Sequence, residues 1–324
     1  MRFCSPPLTN PKSAAFAAGI AVSQAAAAAD KPEPGPNPKS LFVGVGHNGL
    51  RIVSENGTDW KNEQTGKEGE FYRAVSFGNG VFAAVGTFGG KNIFAATKDG
   101  VTWKSSSKDG KYVNYVRGLC FGKDFFLGIG GDPGGVGDSK PFVVQSTDGE
   151  NWSEVQPIAG KNILRRVAWG NNLFVGVGDR GRRAASADGK DWKDAPNVKA
   201  IDTLVDVAFG KGVFAGVGLH SLRMLSQDGL TWSNRLVGEE GEHLNTIVWA
   251  GEQFVAVGMG ATYTSPDGVT WKRQPNKDAP LTMIYGNGIF VGSNWKGRIL
   301  KSADGVEWQQ VHKCEQHIEA IGYG

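Results

Sequence analysis

The sequence predicts an all-β fold: a seven-bladed β-propeller of four-stranded antiparallel blades, with one blade closed by the N- and C-terminal strands. Three observations predict it. A box of the form Ser/Thr-x-Asp/Asn-Gly-x-x-Trp recurs seven times. Each unit carries a paired-strand pattern upstream of its box. The C-terminal residues match the strand that the first unit lacks.

The boxes occupy 54–60 (SENGTDW), 97–103 (TKDGVTW), 146–152 (STDGENW), 186–192 (SADGKDW), 226–232 (SQDGLTW), 265–271 (SPDGVTW) and 302–308 (SADGVEW). Their starts lie 43, 49, 40, 40, 39 and 37 residues apart. A period near 40 with four strand-sized runs is the sequence signature of propeller blades. Upstream segments such as AVSFGNGVFAAVG (74–86), RVAWGNNLFVGVG (166–178) and DVAFGKGVFAGVG (206–218) read as two strands joined by a tight turn. Gly-Asn-Gly and Gly-Lys-Gly supply the positive φ angles that short hairpins need. A third strand, such as GRILKS (297–302), leads into the box, and a fourth starts at the tryptophan. The runs are apolar on both faces, as in Val81–Val85, which suits strands covered by neighbouring blades. The first unit already matches the second strand at 41–46 (LFVGVG). Residues 318–324 (IEAIGYG) match the first strand of the other units, so the two ends should share a blade.

The first 39 residues read differently. Arg2 and Lys12 are the only charges in 1–29, and Ala14–Ala29 is an apolar, alanine-rich run. That pattern reads as a signal peptide cut after Ala29, and implies export to the periplasm or beyond. Residues 30–39 (DKPEPGPNPK) read as an extended proline-rich linker. The propeller is assigned to 40–324. A formal net charge of +3 gives no global signal for nucleic acid, and no uninterrupted apolar run is long enough for a transmembrane anchor. Cys120 and Cys314 fall in different blades and are expected not to pair.

In the box, the carboxylate can accept backbone N–H bonds inside the turn, glycine supplies a positive φ, and the indole covers the outer apolar edge. Asp99, Asp148, Asp188, Asp228, Asp267 and Asp304 are read as structural. So are Trp60, Trp103, Trp152, Trp192, Trp232, Trp271 and Trp308. A feature repeated at equivalent peripheral positions is architecture, so no metal is assigned to these turns.

These residues resemble the Asp-box, or bacterial neuraminidase repeat, of sialidase-like propellers, sortilin-like receptors and photosystem II assembly factors. The resemblance covers 41–324 and implies the fold. Here glycine follows the aspartate directly, so the box is one residue shorter than the commoner form. Unit one has Asn56 in place of aspartate, and unit two has Thr97 in place of serine. A sialidase would also need an arginine triad, a Tyr–Glu pair and an acid/base aspartate. Glu239, Glu240 and Glu242 share one loop, but Tyr263 and Tyr285 fall within strands. No catalytic residue, cofactor or zinc-type ligand spacing is assigned.

The loops between second and third strands, and between one blade and the next, form the face opposite the boxes. Basic and aromatic residues recur there: His47, Arg180, Arg182, His220, His243, Trp295 and Lys296. Arg51, Arg183, Arg223 and Arg298 begin third strands, from which converging guanidinium groups could clamp a carboxylate or sulfate. The longest insertion, 130–141 (GGDPGGVGDSKP), matches no calcium loop. The reading is therefore an exported, monomeric, non-catalytic scaffold that binds a protein or glycan at its loop face. The alternatives are a carbohydrate-active enzyme, either a sialidase-like hydrolase or a lyase, and an assembly factor for a membrane complex.

Overall fold

The computed structural model describes residues 40–109, 116–132 and 139–324. The expected signal peptide, the expected linker and half of the 130–141 insertion lie outside the described residues. So do residues 110–115.

Seven four-stranded antiparallel sheets follow one another, each with sequential strands paired side by side. Blade 2, for example, runs Phe71–Gly78, Val81–Phe88, Lys91–Thr97 and Lys104–Asp109, from the innermost strand outward. Blade 1 takes its innermost strand, Ile318–Tyr323, from the C-terminus and pairs it with Phe42–Gly46. Leu41 N–H donates to Gly324 O at 2.7 Å, and Gly324 N–H donates back at 3.1 Å. The outermost strands begin just after the box tryptophan in blades 2, 4, 5, 6 and 7, at Trp60 itself in blade 1, and only at Gln156, four residues past Trp152, in blade 3. They shrink to two residues in blades 3 and 4, Gln156–Pro157 and Lys193–Asp194.

The core lies between blades. Clusters of buried side chains each combine two neighbours, such as Val85 and Phe94 of blade 2 with Phe126, Phe142 and Trp152 of blade 3. Trp152 stacks on Phe94 at 4.5 Å. The same place in other blades is held by Val143 under Trp192 and by Ile299 under Trp60. In these blades the box tryptophan is grouped with a third-strand residue of the preceding blade, three positions before that preceding blade's own box begins.

The boxes repeat one hydrogen-bond pattern. In blade 4, Asp188 Oδ1 accepts from the N–H of Lys190 and Asp191, both at 2.9 Å, and Ser186 Oγ donates to Asp188 and accepts from Gly189 N–H. Trp192 Nε1 donates to Gly189 O at 3.0 Å. All seven box glycines have φ between +68° and +78°, and an L side chain is strained there.

A second repeat closes the ring on the inside. Six of the seven innermost strands carry an aromatic residue followed by glycine; blade 6 has Trp249 followed by Ala250. A Cβ on Gly78, Gly122, Gly170, Gly210, Gly286 and Gly324 would stand 2.1–2.3 Å from the ring of Phe121, Trp169, Phe209, Trp249, Tyr323 and Phe77 respectively. Each glycine admits the next blade's aromatic side chain, and the series passes through the chain ends without a break. The hairpin turns beside these glycines share the box face. Asn79 Nδ2, for example, bonds Thr147 O in the next blade's box at 3.2 Å.

Cys120 and Cys314 are both free thiols. Cys120 is half-buried by area, yet its thiol is packed deeply enough that burial pushes its pKa up. Burial, reinforced by nearby Glu63, pushes Cys314 up to about 12.

Candidate functional site

Innermost strands carry a bulge near their start, where one residue is left out of the pairing. These residues are Arg73, Arg117, Arg165, Val205 and Asn245 in blades 2 to 6, and Glu319 in blade 1. With Leu281 of blade 7, Arg166 and Trp295, they line one cavity of about 330 Å³ on the ring axis. A bulge re-aims a side chain out of the ladder, which is how blades 1 to 6 each offer one group to the channel mouth; in blade 7 Leu281, just before the strand, takes that place.

The lining is lopsided. Blades 2, 3 and 4 each present an arginine at this register. Blades 5, 6 and 7 present Val205, Asn245 and Leu281. The second-to-third-strand loops of the same three blades expose Leu219, Met259 (59%) and Trp295 (62%). The lining therefore has a basic arc and a facing uncharged, mainly apolar arc, and the loops of that second arc's blades expose further apolar side chains.

The arginines are held in place. Arg165 forks onto Asp179, which opens the 3-10 turn Asp179–Gly181. Arg166 Nη1 donates to the carbonyls of Arg117 and Arg165, both at 3.2 Å, and so joins blades 3 and 4. Arg73 Nη1 meets Glu319 Oε1 at 3.5 Å. Glu319 also faces two imidazoles, with His47 Nε2 at 3.3 Å and His317 Nε2 at 3.7 Å from its Oε2. Burial pulls the His317 pKa down, outweighing the pull of Glu319 in the other direction.

Larger openings exist on the other face. One, of about 760 Å³, is lined by Thr58, Lys301, Ser302 and Trp308. It and its counterparts are grooves beside the repeated boxes, two of them lined by carboxylates already engaged in their turns. Size alone does not make them sites.

The arginines that begin third strands do not converge on the mouth, which corrects the sequence-based expectation. Arg183 and Arg223 are only 4% and 5% exposed. The Arg183 guanidinium lies 5.3 Å from the Trp232 ring centre. Arg223 lies 4.0 Å from Tyr263 and 5.9 Å from Trp271, while Arg51 lies 5.7 Å from Trp103. They occupy the place that Phe94 and Val143 hold elsewhere, under the next blade's box tryptophan. Arg182 is also structural: buried, it donates to Asp194 Oδ1 at 3.0 Å and to the carbonyls of Ala159 and Asn162. Arg298 pairs with Asp278 and donates to Gln310 Oε1 at 2.6 Å.

Other expected residues stay on the loop face. Arg180, Lys296 and His220 are exposed and sit at positive φ. His220 N–H donates to His243 Nδ1 at 2.9 Å. Trp295 stacks on His317 at 5.4 Å, and His47 lies beside Glu319. The residues missed were Arg73, Arg117, Arg165, Arg166, His317 and Glu319.

A Tyr–Glu pair does exist, which the strand placement of Tyr263 had concealed. Tyr263 Oη donates to Glu242 Oε2 at 2.8 Å, and Arg273 clasps Glu242. Tyr263 is buried at the blade 5–blade 6 seam and is not among the residues lining the mouth. Burial and Glu242 push the phenol pKa up, the opposite of what an activated nucleophile needs.

No protein-family model matches the chain, and neither does any curated protein. Solved structures do. The structure described as "YCF48 bound to D1 peptide" aligns with a TM-score of 0.55 at 17% identity, over 75% of this chain and 82% of that one. YCF48 from Cyanidioschyzon merolae aligns at 0.54 and 17%, over 75% and 85%. The WD40 β-propeller domain of Doa1 aligns at 0.56 and 14%, over 77% and 85%. The likeness is one of fold. It extends to propellers with different repeat signatures, so function has to be argued from the mouth itself.

Proposed function

We propose that this chain is a non-catalytic binding propeller whose channel mouth takes an extended, acidic and partly apolar segment of a partner protein. The observation that carries the reading is the split rim: Arg73, Arg117 and Arg165 on three successive blades, facing Val205, Leu281, Leu219, Met259 and Trp295. Guanidinium groups on one arc suit carboxylates, through charge-assisted hydrogen bonds. An exposed indole and a thioether on the other suit apolar side chains. That one fold neighbour, YCF48, is described with a bound peptide supports a peptide as the ligand class. The Asp-box resemblance and a partner in the cell envelope fit the same reading, with residues 1–29 as an export signal.

The hydrolase reading is not favoured. Glycoside hydrolysis ordinarily calls for two carboxylates flanking the bond. Glu319 is the one carboxylate among the residues lining this cavity, and it is engaged by His47, His317 and Arg73.

The test is fluorescence anisotropy with the full chain and short peptides having acidic, neutral or basic ends, each with and without a leucine. The acidic, leucine-bearing peptides should bind best and weaken as salt rises. Arg117→Ala and Trp295→Ala should each reduce that binding. Equal binding of basic peptides would sink the proposal, as would peptide binding indifferent to both substitutions. Retention on glycans that Trp295→Ala abolishes, without peptide binding, would replace the peptide with a sugar.

A further inference from the structure

The structure assigns a transition-metal site to His47, His317 and Glu319, where the two chain ends meet at the channel mouth. The three residues come from separate places in the chain. His47 follows the second strand of blade 1, His317 ends the connection from blade 7, and Glu319 is the bulge residue of the innermost strand of blade 1. Their ligand atoms all lie within 4.8 Å of one another. Glu319 Oε2 stands 3.3 Å from His47 Nε2 and 3.7 Å from His317 Nε2. Tetrahedral zinc with bonds of about 2.0–2.1 Å holds its ligand atoms about 3.3 Å apart, so small side-chain adjustments would close the set.

The frame is built before any ion arrives. His47 N–H donates to His317 O at 2.9 Å, which ties the two ligand-bearing segments together. The Phe71 ring meets His47 edge-on at 4.7 Å, and Trp295 stacks on His317. These contacts fix the planes of both imidazoles. The other oxygen of Glu319 faces Arg73 Nη1, an outer partner that orients the carboxylate. Two neutral imidazoles and one carboxylate form a donor set suited to zinc and its first-row neighbours. Three protein ligands would leave a fourth coordination position for water or another donor.

Glu63, His312 and Cys314 form a second group on the outer edge of the same seam. It is the competing site, since a coordinating thiol gives up its proton to the metal. The two groups need separate controls.

The experiment is calorimetric titration of the full chain with Zn²⁺ and no peptide present, followed by Co²⁺ as a visible-light probe. One saturable site is expected, with the intense visible bands of four-coordinate Co²⁺. His47→Ala and His317→Ala should each weaken binding at least about 100-fold, beyond the 10–100-fold typical of outer-shell changes. Glu319→Gln keeps the shape and should also lose the site. Cys314→Ser should leave it intact. Unfolding midpoints in the presence of chelator should match wild type for every variant, so that lost binding is not lost folding. Absence of saturable Zn²⁺ binding would overturn the assignment, as would binding that survives His47→Ala and vanishes in Cys314→Ser. Peptide binding is read separately, so either proposal can fail alone.

Discussion

The two faces of the ring obey different rules. On the box face one arrangement recurs seven times: a Ser/Thr–Asp/Asn pair in the turn, a left-handed glycine, and an indole on the preceding blade. On the loop face the equivalent lining position differs from blade to blade, running Arg, Arg, Arg, Val, Asn, Leu, Glu through blades 2 to 7 and back to blade 1. Repetition there would give a symmetric mouth. Its absence means that the mouth is not set by the demands of closing a ring. Substitutions on the box face should therefore cost stability and leave ligand binding per folded molecule unchanged. Substitutions at the mouth should do the reverse.

The largest effect is expected for Trp192→Ala. The indole is 8% exposed and packs against Leu127, Ile129 and Val143 of blade 3. Removing a buried aromatic of this size costs about 3–5 kcal/mol. Urea denaturation should register that loss. A change below about 1 kcal/mol would mean that the blade interfaces do not hold the ring together.

Next is Gly170→Ala. The new Cβ would stand 2.1 Å from Phe209, a ring that cannot swing away without disturbing blade 5. Overpacking of this kind costs about 1–3 kcal/mol. Phe209→Leu in the same chain should recover part of it, a coupling that only direct contact produces.

Arg117→Ala sharpens the other side of the comparison. Binding of an acidic peptide should fall about tenfold, or about 1.4 kcal/mol. The unfolding midpoint should move much less than in Gly170→Ala. A large loss of stability with unchanged affinity would make the arginine arc another part of the scaffold.

What the sequence disclosed follows the same division. The boxes, the paired strands and the exchange of one strand between the chain ends are periodic, and a period can be read without coordinates. Glycine followed in space by the next blade's aromatic was also legible, because SFG, CFG, AWG, AFG, IYG and GYG fall at matching places. The arginines that begin third strands misled because strand position does not reveal which side of a blade a residue faces. Arg183 and Arg223 point between blades and cover indoles, whereas Arg73, Arg117 and Arg165 reach the channel only because a bulge turns them. A signal was present: an arginine follows the apolar residue in FYR, YVR and ILR of three consecutive units. The meeting of His47, His317 and Glu319 had none, since it joins positions about 270 residues apart through ring closure.

Acid should separate the faces again. In blade 2, N–H bonds from Thr102 and Val101 hold the Asp99 carboxyl down at about 2. In blade 3, burial raises Asp148, but bonds from Asn151, Glu150 and Ser146 outweigh it and bring the group to about 2 as well. An aspartate in the unfolded chain titrates near 3.9. A depressed folded value contributes stability that is present above the unfolded value and lost as pH falls through the folded one. The thermal midpoint should therefore drop between about pH 4 and pH 2. Asp99→Asn should reduce the size of that drop, because an amide oxygen can accept the same bonds without titrating.

Blade 1 already carries that substitution, and it offers the finest test. Asn56 Oδ1 accepts from Thr58 and Asp59 N–H at 2.9 and 2.8 Å, as the aspartates do elsewhere, and its Nδ2 donates to Asp59 Oδ2 at 2.8 Å. Blade 3 has the two groups exchanged, with Asn151 Nδ2 donating to Asp148 Oδ2 at 2.8 Å. The turn thus accepts amide and carboxylate in either order. Asn56→Asp alone would set two carboxylates side by side and remove the donor between them. It should destabilise slightly, by less than about 1 kcal/mol at this exposed turn. Asn56→Asp with Asp59→Asn restores the pair in blade 3 order and should return the midpoint to wild type at neutral pH. It should also add a titrating box to blade 1, steepening the loss of stability below about pH 4. If the double variant stays as destabilised as the single one, the order of the two groups matters, and the seven boxes are not interchangeable parts.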